Sequence, residues 1–134
     1  YRQVMVPDTH GNMYFISGNN VAIVDANNNV CSLPALPFTA PVAITLSWNN
    51  VTDSLVVVGL GAEIYNNFNT FEARMDMFIL PYGATQWIDT NLNGVQSSGS
   101  FVAGYIYRPV AANDNQGNQY LFPNSSSQVL LWSP

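Results

Sequence analysis

Histidine occurs once, at position 10, inside the polar run Asp8-Thr-His-Gly-Asn12. A lone imidazole can serve as a general base, a triad member or a metal ligand, but each role needs partners from distant sequence. Its neighbours are turn formers, so His10 reads as an exposed turn residue. The carboxylates are Asp8, Asp25, Asp53, Glu63, Glu72, Asp76, Asp89 and Asp114. Most stand in turns, where Asp bonds local backbone. Glu63 and Glu72 share one stretch, and glycoside hydrolysis uses two carboxylates about 5–10 Å apart; nothing else there supports a glycosidase. Asn113-Asp-Asn-Gln-Gly-Asn118 offers oxygen ligands and a Gly, but lacks the Asp spacing and closing Glu of an EF-hand, and reads as a hairpin turn. Gly59-Leu-Gly61 has no third Gly and no following helix, which removes the dinucleotide reading. No enzymatic activity, cofactor or metal is expected.

Binding is the stronger expectation. The run Ala62-Glu-Ile-Tyr-Asn-Asn-Phe-Asn-Thr-Phe-Glu-Ala-Arg74 reads as a long loop, far longer than its counterpart Gly18-Asn-Asn20. Tyr65, Phe68 and Phe71 are costly to leave exposed, so they either bury beneath the loop or meet a partner. With Asn67 they also suit a sugar, whose ring stacks on aromatics while amides bond its hydroxyls. A second long polar connection, Asn91-Leu-Asn-Gly-Val-Gln-Ser-Ser-Gly99, is expected on the same face. Asn50-Val-Thr52 and Asn124-Ser-Ser126 are N-glycosylation acceptors, with Asn50 and Asn124 as the sites, and Asn29-Val-Cys31 is a rarer variant. The single Cys31 has no internal disulfide partner; it reads first as a small buried hydrophobe, and otherwise as an intermolecular bridge.

Composition narrows the setting. The chain has 134 residues, enough for one domain with a core, and hydrophobic residues make up 48%. Charged residues make up only 8%, against roughly 25% in an average domain. Three Arg and no Lys stand against eight acids, a net charge of −5. Such a chain is poorly suited to neutralising phosphates or an anionic membrane, so neither nucleic acid nor membrane insertion is expected. No apolar run reaches the ~20 residues that span a bilayer. Polarity comes instead from Asn, Ser, Thr and Gln, a style that, with the sequons, points to an extracellular or cell-surface protein. Tyr1 is not an initiator Met, so the chain reads as a mature product or a piece of something longer.

The elements that carry these residues read as strands. An apolar run, a turn rich in Asn, Asp and Gly, and a second apolar run occur three times: around Asp8–Asn12, around Asn49–Asp53 and around Asn113–Asn118. In the first copy a third strand follows over Val21–Asp25 and a fourth over Val30–Leu33. In the second, the third is Met75–Leu80 and the fourth Gln86-Trp-Ile88. In the third copy only the third strand, Gln128–Trp132, follows. Four antiparallel strands per repeat of about 40–50 residues is the arithmetic of a propeller blade. The alternative for many short strands is a jelly roll or sandwich.

Val24-Asp25-Ala-Asn-Asn-Asn-Val-Cys-Ser-Leu33-Pro-Ala-Leu-Pro37 resembles the second half of a kelch repeat. In that family a Tyr-Asp pair ends the third strand, an Asn-rich turn follows, a Trp stands on the fourth strand, and a Leu-Pro-x-x-Pro segment leaves the blade. Asp25, Asn29, Leu33 and Pro37 match; Cys31 holds the Trp place in the first copy and Trp87 in the second. Gly11-Asn-Met-Tyr-Phe-Ile-Ser-Gly18 and Leu55-Val-Val-Val-Gly-Leu-Gly61 resemble the second kelch strand. The resemblance implies an all-β fold of antiparallel four-stranded blades, a kelch-like propeller of galactose-oxidase flavour. It covers most of the chain, which reads as one domain, 1–134, in units of about 1–38 and 39–97 with an incomplete third, 98–134. The related oxidases hold copper with two His and two Tyr, which one His cannot reproduce.

Closed propellers typically have 4–8 blades, so other protein chains or further copies are expected to complete the fold. The reading is therefore a secreted or cell-surface structural or interaction module, without enzymatic activity. It assembles through strand edges and long loops. The alternatives are a lectin-like propeller that binds glycans, and a non-catalytic segment of a larger secreted oxidase-like protein.

Overall fold

A computed structural model describes residues 5–17, 20–36, 43–65, 70–100, 110–122 and 129–134. At residues 17, 43–44, 60–65, 70–75, 91–100, 110–111 and 122 the description is of backbone. The described residues are all-β, with no helix among them. Strands β1 (Met5–Pro7), β2 (Met13–Ser17), β3 (Asn20–Val24) and β4 (Val30–Ser32) form the first sheet, in that spatial order. Strands β5 (Ala43–Asn49), β6 (Ser54–Tyr65), β7 (Thr70–Pro81) and β8 (Ile88–Ser100) form the second, again in chain order. Strands β9 (Val110–Asn113), β10 (Gln119–Phe122) and β11 (Leu130–Trp132) form the third. Every pairing is antiparallel.

Alternation decides which faces are buried. In β2, Tyr14 and Ile16 point inward, while Met13 and Phe15 are half-buried. On β6, Leu55 and Val57 share one face, and their partners Leu80, Phe78, Trp48 and Leu46 lie beside them on β7 and β5. That face joins Val6, Tyr14, Ile16, Val21 and Leu36 in the main core. The opposite face of β6, with Val56 and Val58, is buried as well, together with Met77, the register partner of Val58. A strand buried on both faces explains the unbroken apolar run Leu55-Val-Val-Val58. In the third sheet Gln119 and Leu121 share a fully buried face. β1 lies beside β5, β5 beside β9, and β11 beside β8. The first strands of the three units are thus neighbours.

Four expectations are corrected. The stretch 62–74 is strand wherever it is described: β6 and β7 continue to Tyr65 and from Thr70, pairing Ala62 with Ala73 and Glu63 with Glu72. The polar connection 91–99 is strand too, within β8. Trp87 stands before β8 rather than on a fourth strand, yet its ring packs on the core and its Nε1 donates to the Pro34 carbonyl at 3.2 Å. Cys31 is exposed, not buried: β4 stands at the edge of its sheet, and Val30, Cys31 and Ser32 are all exposed among the described residues.

Candidate functional site

Three turns share one construction. In Asp8-Thr-His-Gly-Asn12, one carboxylate oxygen of Asp8 accepts the backbone N–H of His10 at 2.7 Å and of Asn12 at 2.9 Å. The other accepts the Asn12 amide and the Tyr14 hydroxyl, each at 2.8 Å. Asp114 repeats this with Gln116, Asn118 and Tyr120. Asp25 repeats it with Asn27 and Asn29, in the β3–β4 turn. The fourth position needs a left-handed backbone and is filled by Gly11, Asn28 or Gly117, with φ of 87°, 62° and 84°. The first and third turns therefore obey Asp-x-x-Gly-Asn-x-Tyr, a spacing plain in the sequence and missed there. Both Asp114 oxygens accept N–H or O–H donors from within the turn.

These bonds set the charge state. Burial pushes the Asp8 carboxyl up, but the bonds from Asn12, Tyr14 and the His10 amide outweigh it and hold it below the usual range. The backbone and side chain of Asn29 hold Asp25 down. The Asn118 side chain, with the amides of Gln116 and Asn118 and the Tyr120 hydroxyl, brings Asp114 down to about 2. An unfolded Asp titrates near ~3.9. A carboxyl depressed by folding adds stability that is complete above its unfolded value and lost as pH falls through its folded one. The Asp114 turn is thus expected to hold unchanged down to about pH 4 and to give way between about 4 and 2. Carboxyl-carbon NMR of Asp114 against pH checks this; a midpoint near ~3.9 would contradict it.

The turns are joined to one another. His10 crosses from the β1–β2 turn to the β5–β6 turn, where its Nε2 lies 2.8 and 2.9 Å from the two carboxylate oxygens of Asp53. Its ring stacks on Tyr82 at 3.7 Å between centroids, 8° from parallel, and meets Trp48 edge-on at 6.3 Å. Trp48 in turn stacks on Tyr14 at 5.7 Å. The Tyr82 amide donates to the Asp53 carbonyl at 2.9 Å. Asp53 itself adopts a left-handed φ of 53°, uncommon for a non-glycine residue. On the far side Asn49, fully buried, donates to the Gly117 carbonyl at 2.9 Å and accepts the amides of Val51 and Thr52. His10 is thus an exposed turn residue, as expected, and also the centre of a four-ring cluster. Burial, the bond to Asp8, and the nearby Asp8, Tyr82 and Asp53 push the Tyr14 hydroxyl well above its ordinary value.

Behind Tyr14 and Tyr82 a pocket of about 290 Å³ opens between the first and second sheets. Ile23 of β3 and Leu33, just past β4, wall it on one side, Leu55 and Leu80 of the second sheet on the other, and the 81–84 turn forms its mouth. Among the described residues no hydroxyl or thiol bonds the His10 ring, and no group of three or more His, Cys, Asp or Glu is placed to hold a metal.

Asn67 and Phe68 lie outside the described residues; Tyr65 and Phe71 occupy β6 and β7 as described backbone, one position apart in register. Asn50 is exposed on the β5–β6 turn, as an acceptor must be, and Asn124 lies outside the described residues. No helix among the described residues is long and apolar enough to cross a membrane. No protein-family model, curated protein or solved structure matches this chain.

Proposed function

We propose that this chain is an extracellular structural or interaction module, non-enzymatic, whose three sheets are blades that assemble with other chains or further copies through their outer strands. The observation that carries this reading is the character of two edges. β4 is exposed throughout, with Val30 65% accessible, and β11 exposes Leu131 at 52%. Natural sheets blunt such edges with Lys, Pro, bulges or a covering element. β4 reads Val-Cys-Ser and β11 Leu-Leu-Trp, with neither charge nor proline.

The adjacency of β1, β5 and β9 supports the kelch-like propeller in particular, since a radial array brings together the first strand of each blade. The joined turns support it too: contacts run from the first unit to the second through His10 and Asp53, and from the second to the third through Asn49 and Gly117. The exposed Asn50 supports a glycosylated, secreted product. The sugar-binding alternative rests on Tyr65, Asn67, Phe68 and Phe71, and the aliphatic walls of the pocket do not serve hydroxyls, so assembly is preferred.

Light scattering of the purified chain tests the reading. A mass that is a multiple of 14.7 kDa at micromolar concentration is expected. Val30→Lys with Leu131→Lys should return it to one chain by placing charge on the edges. A monomer at every concentration, for wild type and variant alike, overturns self-assembly.

A further inference from the structure

We infer that the pocket between the first and second sheets is a binding site for a small, neutral, planar aromatic molecule. This goes beyond the assembly reading and does not depend on it. Size comes first. A dry cavity of about 150 Å³ lined by Leu, Ile and Phe takes benzene. This pocket is about 290 Å³ and is open at the 81–84 turn, so a one- or two-ring molecule fits without displacing the core.

The lining chooses the chemistry. Ile23, Leu33, Leu55 and Leu80 supply aliphatic walls, and a polar ligand would lose hydrogen bonds against them. The buried Tyr14 hydroxyl is already donated to Asp8, so it is not a free donor for a sugar. Two aromatic rings line the pocket instead. Tyr14 is backed by Trp48 and Tyr82 by His10, so each ring is held on one side while it lines the pocket. Rings fixed in advance lose little freedom on binding, and aromatic pairs gain beyond their area. The mouth has room: Gly83 meets nothing within 4 Å of where a Cβ would stand, and Ala84 is small. Charge excludes anions, since Asp8 and Asp53 stand beside the two tyrosines and the chain carries −5.

The test uses indole as the probe, titrated into the full chain and followed by methyl NMR. Methyl shifts at Ile23, Leu33, Leu55 and Leu80 are expected to saturate together, with a Kd of roughly 1 mM, in keeping with a ligand of this size. Benzoate should bind at least about tenfold more weakly, and Ala84→Leu should weaken indole at least about tenfold by filling the mouth. Nuclear Overhauser contacts from indole protons to the Ile23 and Leu33 methyls decide the matter in the wild type, should Ala84→Leu fail to fold. The proposal is overturned by shifts confined to exposed residues such as Leu131, by equal affinity for benzoate, or by a folded Ala84→Leu that binds as well. Pocket-methyl shifts that follow protein concentration without indole would also overturn it, because an aromatic side chain of a second copy would then be the occupant.

Discussion

Leu55→Ala is expected to lower the free energy of unfolding by about 2–5 kcal/mol, the span for a buried leucine whose cavity only partly collapses. Leu55 is 1% exposed and sits where the two sheets meet. Trp48 and Leu80 flank it in register on β5 and β7, so little can move in to fill the space. Leu131, half exposed on β11, is the control: its change to Ala should stay within about 0.5 kcal/mol. Urea unfolding followed by tryptophan fluorescence measures both. Equal losses at the two positions would mean that the main core does not lie between these sheets.

Trp87→Ala is expected to cost about 3 kcal/mol, the low end for a tryptophan, since its ring is only partly buried. Two contributions are lost together. The ring leaves the core, and the Pro34 carbonyl loses the indole N–H at 3.2 Å. Trp87→Phe separates them: it keeps most of the packing and should lose only about 1 kcal/mol, the net worth of one hydrogen bond. A loss below about 1 kcal/mol for Trp87→Ala would place the ring on the surface. It would also remove the bridge that ties the exit of the first sheet to the segment before β8.

The short hairpins were legible in the sequence because their signals are local. Asp8–Asn12 and Asp114–Asn118 announce turns by residue type, and Met13–Ile16 and Gln119–Phe122 alternate as half-buried strands do. The long β6–β7 hairpin was not, because Asn, Glu and Thr between the aromatics read as loop chemistry. Its backbone ladder needs no apolar run. The signal lay in symmetry instead: Ala-Glu-Ile over 62–64 mirrors Phe-Glu-Ala over 71–73, and the hairpin pairs Glu with Glu and Ala with Ala. Cys31 was misplaced because its burial was inferred without knowing that β4 lies outermost. The partner of His10 is 43 residues away, and nothing in either turn names the other. Contacts made through the fold, rather than along the chain, are what the sequence withheld.

The strand order within each sheet bears on how the chain acquires its structure. Every hydrogen-bonded strand neighbour is also the neighbour in sequence. Each described ladder therefore joins strands that follow one another in sequence, so little entropy is lost at each step and none of these sheets waits for a distant segment to arrive. The sheets can form one after another as the polypeptide emerges, first 5–32, then 43–100, then 110–132. Only the docking of finished sheets is non-local, and it rests on a few side chains at the turn tips and the apolar faces between them. A protein organised in this way has its slow step in assembly rather than in strand pairing. It should also tolerate relocation of its termini to a point between the first and second sheets better than a cut within either sheet.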